Sequence, residues 1–524
     1  MTKRGKRMLI ATFAELTSAH GFLNVVKSGT DFGRAVWVLA IVAAWLVSGL
    51  LITEAISAYY SYETNVRVKI EHARDARFPA VTLCNLNPVR MDYLTEKMAA
   101  FAAELQNANM TELDEHVWHG GIDDQFLDYD AEDSAEDGQA ERKRRKRTAS
   151  DEHRLQFETF HAYYSHKLDT RRGGHRLSDM LLQCTYAGYQ CSPRNFTRWT
   201  HAVYGNCYTM LVSGADYPTF SGPQFGLELT LFVEEHQYLP HVDSGLGFRM
   251  QIHPEEYVPI PDDFGFNVSP GQMTSVSVKQ MVIHRLPLPY DGTDCGTAES
   301  RHDKVKQVYL FSDWPRLRKE GLIMGVNYTN QACMRICYQR RLLHRCGCMH
   351  ARISSWLHVR EAVRRSVLDE APPACSAQNR TQLQCLFQTT KEILEKGVCE
   401  ESCPQACDEQ TYTTKVTTSA WPRESYFKTQ KANWMRKSGR LAAEKDRFAY
   451  DDAARLVGRV QVYFQELNYE SIVEYPAMRY QDVFSKVGGI LGLWMGVSVL
   501  TTLEFAELIA RLLFRGYVSQ NIES

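Results

Sequence analysis

The residues whose spacing is most suggestive lie near the end of the chain, in an uncharged stretch from 487 to 503. Gly488, Gly492 and Gly496 recur at every fourth position, so they share one face if the stretch is helical. A face of small residues lets helix backbones approach closely. The glycines alone therefore allow two interpretations, a packing face between helices or the wall of a narrow pore.

Two acids, Glu504 and Glu507, continue the same helical pattern. Acids at the end of a membrane helix indicate an ion path. The alternative is that Glu504 simply lies at the water interface, because the uncharged run stops just before it. The run is at the short end of what a bilayer-spanning helix needs, which is about 20 residues.

A second uncharged run, from 35 to 53, lies near the start of the chain and also fits one spanning helix. The first 34 residues are too polar for a secretory signal, so this run is expected to act as a signal anchor. Basic residues precede the first run and follow the second, which predicts that both termini are cytoplasmic. The residues between the two runs then form one extracellular loop.

Glycosylation sequons and cysteines support this topology. All five sequons fall between the two runs, at Asn109, Asn195, Asn267, Asn327 and Asn379. All 14 cysteines lie there too, and an even number in an oxidising compartment predicts a disulfide framework. The sequence contains no CxxC pair, so disulfides are favoured over a zinc site and no metal is expected.

Composition excludes several function classes. The net charge of −2 gives no electrostatic case for a nucleic-acid partner. No nucleophile elbow, HExxH or paired-acid motif is present, so neither an enzyme nor a cofactor is expected. The basic run 142–147 has two interpretations, a solvated insertion or a site for a convertase protease.

Patterning within the loop predicts a mixed α+β domain. Residues 78–85 are typical of a strand, 91–118 of a helix, and 226–282 alternate as strands do. Two further strands are predicted at 460–464 and 471–475 as a pair, and the second leads directly into the last uncharged run. Whatever the loop senses is therefore connected mechanically to that helix.

Cysteine spacing adds one more local prediction. Cys333 and Cys337 are four residues apart, and Cys399, Cys403 and Cys407 repeat that step. Two such columns facing each other on antiparallel helices would form a ladder of disulfides. Spacing alone leaves the connectivity open.

Taken in order, these motifs resemble the degenerin/epithelial sodium channel superfamily, which includes acid-sensing and peptide-gated channels. The resemblance covers nearly the whole chain. It rests on His20-Gly21, the stretch 78–85, the cysteine-rich loop, the stretch 464–470 and the Gly496-Val497-Ser498 motif. The rival interpretation from another class is a two-pass, disulfide-rich receptor or adhesion protein. An anchor of that kind needs neither the Gly-x-Ser motif nor Glu504.

The resemblance implies a trimer, made of this chain alone or with related subunits, whose second helices surround the pore. Each extracellular domain would have palm, finger, thumb, knuckle and β-ball parts. Gly496, Val497 and Ser498 correspond to the selectivity filter, where the helix breaks and backbone carbonyls replace the water shell of a cation. His20 and Gly21 correspond to a cytoplasmic gating motif in a re-entrant segment beneath that filter.

Further positions follow from the resemblance. Ser485 corresponds to a site at the outer pore mouth where a bulky side chain holds the gate open. Gly489 and Gly492 continue the pore wall below it, and Glu504 and Glu507 raise the cation concentration on the inner side.

Two contacts in the extracellular domain are implied in the same way. Leu467 and Asn468 correspond to a palm linker that swaps side chains during desensitisation. Tyr62 and Tyr290 correspond to an aromatic contact between the first helix and the thumb.

The family pattern also implies seven disulfides. They are Cys84–Cys207, Cys184–Cys191, Cys295–Cys407, Cys333–Cys403, Cys337–Cys399, Cys346–Cys385 and Cys348–Cys375.

Within the superfamily, stretches around His20, Tyr290 and Gly496 look most like invertebrate FMRFamide-gated sodium channels. No histidine stands between Tyr59 and Asn65, where acid-sensing channels tend to have one. The expected function is thus a sodium-selective, amiloride-sensitive channel opened by an FMRFamide-like peptide, with proton gating as the alternative. Acids around Asp123 to Asp130 suit a basic peptide, but the sequence assigns no pocket residues.

The expected organisation places the protein in the plasma membrane with two transmembrane helices. The predicted parts are a cytoplasmic N-terminus (1–34), a first transmembrane helix (35–57), an extracellular domain (58–482), a second transmembrane helix with the pore (483–510) and a cytoplasmic C-terminus (511–524).

Overall fold

The structure is a computed structural model, which describes residues 13, 17–72, 77–99, 103, 169–211, 220–239, 245–290, 295, 328–350, 374–375, 379–437 and 448–520. The basic run 142–147, the acids from Asp123 to Asp130, and the sequon residues Asn109 and Asn327 lie outside the described residues.

The described helices in chain order are α1 (Phe22–Lys27), α2 (Asp31–Tyr60), α3 (Met91–Lys97), α4 (Thr170–Gly173), α5 (Leu177–Met180), α6 (Pro261–Phe264), α7 (Asn330–Cys346), α8 (Arg380–Lys396), α9 (Val398–Ser402), α10 (Glu424–Lys437), α11 (Tyr450–Leu456), α12 (Tyr480–Met495) and α13 (Val499–Gln520). The described strands are β1 (Thr64–His72), β2 (Ala80–Asn85), β3 (Leu181–Tyr186), β4 (Tyr189–Gln190), β5 (Phe196–His201), β6 (Gly205–Met210), β7 (Leu227–Phe232), β8 (Phe248–His253), β9 (Phe266–Val268), β10 (Gln272–His284), β11 (Asp408–Ala420), β12 (Val457–Phe464) and β13 (Asn468–Pro476).

The chain divides into two compact units. One, called the helical unit, comprises Met1–Arg67, Leu286–Asp294 and Glu474–Ser524. The other, called the disulfide-rich unit, comprises Val68–Arg285 and Cys295–Val473.

In the helical unit, α2 is long and apolar enough to cross a membrane. It begins at a Thr30 N-cap whose side chain accepts a hydrogen bond from the Gly33 N–H. The pair Tyr480–Met495 and Val499–Ala510 makes a second candidate span if taken together, and it is bent by 70°. Large apolar side chains on these helices are exposed, Leu39, Phe484 and Leu493 among them, as expected of surfaces that face lipid or further subunits.

The disulfide-rich unit is built on two sheets. One has the strand order β1-β13-β10-β12-β7-β3-β4, with β11 also paired to β10, and the other has the order β5-β6-β2-β8-β9. The apolar core joins residues from both sheets, such as Leu83 of β2, Phe248 of β8 and Leu229 of β7. Fully burying one such side chain contributes about 1.5–3 kcal/mol. The prediction that the segment 226–282 is rich in strands is confirmed, since β7 to β10 occupy it.

The helix predicted over 91–118 begins as α3, which ends at Lys97 because Met98 leaves the helical region of backbone space. Most of the rest of that stretch lies outside the described residues. The strands predicted at 460–464 and 471–475 are present as β12 and β13, but they do not pair with each other, because each pairs in parallel with β10. Val278 aligns with Phe464 and Met281 with Glu470, so β12 and β13 follow one another along one edge of β10.

Helices α7, α8 and α9 contribute cysteines to three of the seven disulfides. Cys333 and Cys337 of α7 bond to Cys403 and Cys399, in the antiparallel order that a ladder requires. Cys407 does not share a helix face with Cys399, because α9 ends at Ser402, and it bonds to Cys295 as the resemblance implied. Pro404, which cannot continue a helix, lies between Cys403 and Cys407.

Candidate pore and gating elements

A sharp break separates α12 from α13 at Gly496, Val497 and Ser498. Gly496 has φ +65°, in the left-handed region where glycine carries no steric penalty. Its N–H donates to the Gly492 carbonyl, as in a helix C-cap of the αL type, and the Val497 N–H donates to the Leu491 carbonyl. A glycine C-cap therefore ends α12 at this break.

Ser498 starts the next helix. Its hydroxyl accepts from the Thr501 N–H at 3.3 Å, and the Thr501 hydroxyl accepts from the Ser498 N–H at 3.1 Å. These reciprocal bonds satisfy donors that a helix N-terminus leaves unpaired. Glycine and serine thus terminate and restart the helix within three residues, which leaves non-helical backbone at this level.

The His20-Gly21 segment packs against this break. The His20 N–H donates to the Met495 carbonyl at 2.9 Å. A methyl group built on Gly496 would lie 2.5 Å from His20 Cδ2, so only glycine allows this approach. Gly21 is also restricted, with φ +87° and a built methyl 2.9 Å from Cγ1 of Ile41. The structure therefore brings the predicted gating motif and the predicted filter together.

Glu504 is involved in holding the same segment. Its carboxylate accepts hydrogen bonds from the Thr17 hydroxyl at 3.0 Å and from the Ser18 N–H at 3.1 Å. The hydroxyls of Ser18 and Thr501 are 2.5 Å apart. The spacing of the acids indicated an ion path, and the geometry adds a structural role that links the N-terminal segment to α13.

The remaining positions predicted for the pore lie on α12, apart from Glu507. The Ser485 hydroxyl donates to the Gln481 carbonyl one turn earlier at 2.9 Å, and the residue is exposed. Methyl groups built on Gly489 and Gly492 meet nothing within 4 Å, so this side of the helix is open in the single chain. Glu507 lies on α13, one turn beyond Glu504.

The aromatic pair predicted near the end of α2 forms within the helical unit. The rings of Tyr62 and Tyr290 meet edge to face with centroids 5.8 Å apart. Tyr62 has φ +52°, which is uncommon for a residue with a side chain. Such backbone strain marks a constrained position.

The predicted linker at Leu467 and Asn468 lies between the part of β12 and the part of β13 that pair with the same edge of β10. Lys279 of β10 bridges its two flanks, with Nζ 3.0 Å from Glu466 and 2.6 Å from Glu470. The hydrogen bonds to Glu470 and Glu466 raise the pKa of Lys279.

The linker is also longer than the part of β10 that it faces. Two residues lie between Val278 and Met281 on β10, whereas five lie between Phe464 and Glu470. The three extra residues therefore leave the register with β10 between the two paired stretches.

Sequence reasoning missed several partners of these elements, namely Lys279, Glu466, Glu470, Thr17 and Thr501. The Lys279–Glu470 pair is 191 positions apart in sequence, beyond the reach of any local pattern. A lysine in the middle of a strand rich in valine was the available signal.

Seven disulfides are formed, between the same pairs that the resemblance implies. The sequon asparagines Asn195, Asn267 and Asn379 are exposed. Asn379 also caps α8, because its side chain accepts from the N–H groups of Thr381 and Gln382.

Comparison with known proteins settles the family. Residues 13–508 match the family described as amiloride-sensitive sodium channel. The chain belongs to this family. It is a sodium channel of the degenerin/epithelial sodium channel superfamily, which consists of ion channels and not of enzymes.

Several named relatives illustrate the range of the family. The chain is 26% identical to epithelial sodium channel subunit beta-2 of Xenopus laevis, over 96% of this chain and 82% of the relative. It is 25% identical to the FMRFamide-activated amiloride-sensitive sodium channel of Cornu aspersum, over 96% of this chain and 83% of the relative. It is 29% identical to degenerin unc-8 of Caenorhabditis elegans, over 66% of this chain and 40% of the relative.

Proposed function

We propose that this sodium channel is opened by an extracellular FMRFamide-like peptide and blocked by amiloride. The proposal is supported by the motifs around His20, Tyr290 and Gly496, and by the similarity to a channel named for FMRFamide activation. An epithelial sodium channel subunit has nearly the same identity, so overall similarity does not select the ligand. The channel would lie in the plasma membrane with both termini cytoplasmic, the disposition expected from the flanking charges.

The helix break at Gly496 is the observation that carries the assignment of the pore. Non-helical backbone at membrane depth is tolerated where it is buried in protein or lines a water-filled cavity. With the His20 segment packed on one side, the carbonyls of Gly496, Val497 and Ser498 would coordinate a partly dehydrated sodium ion. One chain cannot enclose such a path, so copies must contribute.

Assembly as a trimer, from this chain alone or with related subunits, is part of the proposal. The open flank of α12 at Gly489 and Gly492 supports it, because small residues let neighbouring helices approach closely. In this arrangement Ser485 would lie one turn above Gly489, at the outer mouth. Glu504 and Glu507 would lie on the inner side.

Proton gating is the second candidate, and two buried groups in the disulfide-rich unit are poor sensors for it. Burial lowers the pKa of His253 to about 4, so this imidazole stays neutral in weak acid. Burial raises the pKa of Asp262, but the charges of His201 and Arg335 outweigh it and hold the value at about 2. Neither group would change charge in the range where histidine sensors act, about pH 5 to 8.

Gating would involve the linker between β12 and β13, which lies beside β10. A ligand shifts a conformational equilibrium only by binding one state better than the other. The Lys279 contacts to Glu466 and Glu470 hold one arrangement of the linker, and β13 continues along the chain into α12. A ligand that favours another arrangement of the linker would therefore act on the pore helix through β13.

Voltage clamp of oocytes that express this chain alone tests the proposal. FMRFamide is applied at neutral pH, then acid without peptide, each with and without amiloride. The proposal predicts an amiloride-blocked sodium current with peptide. A current to acid alone would replace the ligand and keep the channel, and silence to both with protein at the surface would contradict gating by either ligand in a homomer.

A further inference from the structure

A large open pocket with an excess of positive charge lies in the disulfide-rich unit. Its volume is about 760 Å³, within the range of ligand pockets. Residues of α3, α4 and β5 line it, together with the segment that joins α4 to α5. Six of the lining side chains are basic: Arg90, Lys97, Arg171, Arg172, Arg176 and Arg198.

Half of these cations have carboxylate partners. Arg90 is buried and lies 3.2 Å from Asp92 and 3.4 Å from Asp179. Lys97 lies 2.6 Å from its neighbour Glu96. Arg172 lies 3.5 Å from Asp169.

The other three, Arg171, Arg176 and Arg198, have no carboxylate within 4.0 Å among the residues that the structure describes. All three are exposed at the pocket. Arg176 and Arg198 both act on the Tyr208 hydroxyl, whose pKa is raised chiefly by burial and lowered by their positive charges. The guanidinium groups of Arg176 and Arg198 therefore lie near the same hydroxyl.

The walls that present these arginines are rigid. Methyl groups built on Gly173 and Gly174 would lie 2.5 Å from Tyr93 and 2.7 Å from Asn206, so the α4 segment is closely packed. Next to it, the buried His175 contacts Glu234 at 2.8 Å and Asn87 at 2.8 Å. A scaffold fixed in this way lowers the entropy cost of binding.

We propose that this pocket binds an extracellular ligand through its carboxylate groups. A guanidinium group presents N–H donors in a fork that matches the two oxygens of a carboxylate. Arg171, Arg176 and Arg198 would hold the acid groups, and the Tyr93 ring offers an aromatic surface beside them. The ligand is either a small organic polyacid or the acidic part of a peptide.

This site is distinct in chemistry from the agonist site of the proposed function. An FMRFamide-like peptide is basic and amidated, so it carries no carboxylate for these arginines and its own charge would be repelled. The pocket therefore adds a ligand class of opposite charge.

Calorimetric titration of the purified full-length protein in detergent micelles tests the inference. The probes are citrate and the peptide acetyl-Asp-Glu-Asp-Tyr, with acetyl-Asn-Gln-Asn-Tyr-amide as the uncharged control. We expect saturable binding of an acidic probe, no binding of the control, and an affinity that falls with added salt. Binding of citrate alone would identify a small polyacid as the ligand, and tighter binding of the acidic peptide would identify a peptide.

Charge-removing variants locate the site. The double variant Arg176→Gln and Arg198→Gln should bind at least about tenfold more weakly, because each lost charged hydrogen bond is worth about that factor. Arg171→Gln should show a smaller loss of its own. Arg194→Gln is the matched control, since Arg194 is exposed next to β5 and does not line the pocket.

Absence of saturable binding to the wild-type protein, or equal binding by the double variant with an unchanged melting temperature, would overturn the inference. Because binding is measured without current, a failure here is separate from a failure of peptide gating.

Discussion

Replacing Gly496 by alanine tests how the helix break and the His20 segment depend on each other. A left-handed backbone costs a residue with a side chain about 1–2 kcal/mol. The new methyl would also lie 2.5 Å from His20 Cδ2, so the ring has to move. Loss of the hydrogen bond from His20 to Met495 adds about 0.5–1.5 kcal/mol.

The sum is roughly 1.5–3.5 kcal/mol, which corresponds to a shift of about ten- to 400-fold away from the packed arrangement. We expect Gly496→Ala to lose most agonist-evoked current at normal surface expression. Voltage clamp gives the current, and surface biotinylation gives the expression. Gly488→Ala is the control, because a methyl built there meets nothing within 4 Å and alanine favours a helix.

A double variant separates strain from the clash. His20→Ala should recover part of the current in the Gly496→Ala channel, because it removes the ring that the methyl meets, although the backbone strain remains. If the double variant instead loses as much current as the two single losses combined, the two residues act independently, and a clash between the methyl and the His20 ring does not explain the effect.

Four further predictions follow from other contacts. Ser485→Trp should give constitutive current that amiloride blocks, and a current that stays dependent on agonist would remove Ser485 from the outer mouth. Lys279→Gln should speed the decay of agonist-evoked current severalfold, because both contacts to the linker flanks are lost, and an unchanged decay would contradict that role. Glu504→Gln should lower current at constant surface expression more than it alters ion selectivity, since the carboxylate holds the N-terminal segment; a change in selectivity alone would favour the ion path. Asp262→Asn should lower the free energy of unfolding by about 2 kcal/mol at neutral pH. The pKa of Asp262 is about 2 in the folded protein against 3.8 ordinarily, so its ionised carboxylate stabilises the fold above about pH 4, and this stabilisation is lost as the pH falls towards 2. A melting temperature that differs from wild type no more than that of Asp263→Asn would contradict this prediction.

Local sequence patterns predicted the elements of this chain better than their pairing. The uncharged run near the start became α2, because a helix that crosses a membrane needs a continuous apolar stretch. The alternation over 226–282 became β7 to β10, because a strand with one buried face repeats every two residues. The four-residue cysteine step predicted the rungs at Cys333 and Cys337, but it does not place Cys407 on the same helix, because Pro404 intervenes. Connectivity came from the resemblance, since spacing cannot supply it.

Partnerships between distant residues could not be predicted from the sequence. Ser18 and Thr501 are 483 positions apart, and short polar residues of this kind occur throughout the chain. The sequence did not predict that β12 and β13 pair with successive parts of β10, because two strands in a hairpin and two strands placed end to end have the same hydrophobic pattern. Gly496 was the exception, since the resemblance already implied a helix break there.

Reversal potentials test the central claim, that the backbone between α12 and α13 selects sodium. The wild-type channel and Ser498→Cys are opened by whichever agonist evokes current, and external sodium is then replaced by potassium. The account predicts a large negative shift of the reversal potential for the wild-type channel and a clearly smaller shift for Ser498→Cys. Equal shifts in the two channels would contradict it and would place the selectivity filter elsewhere.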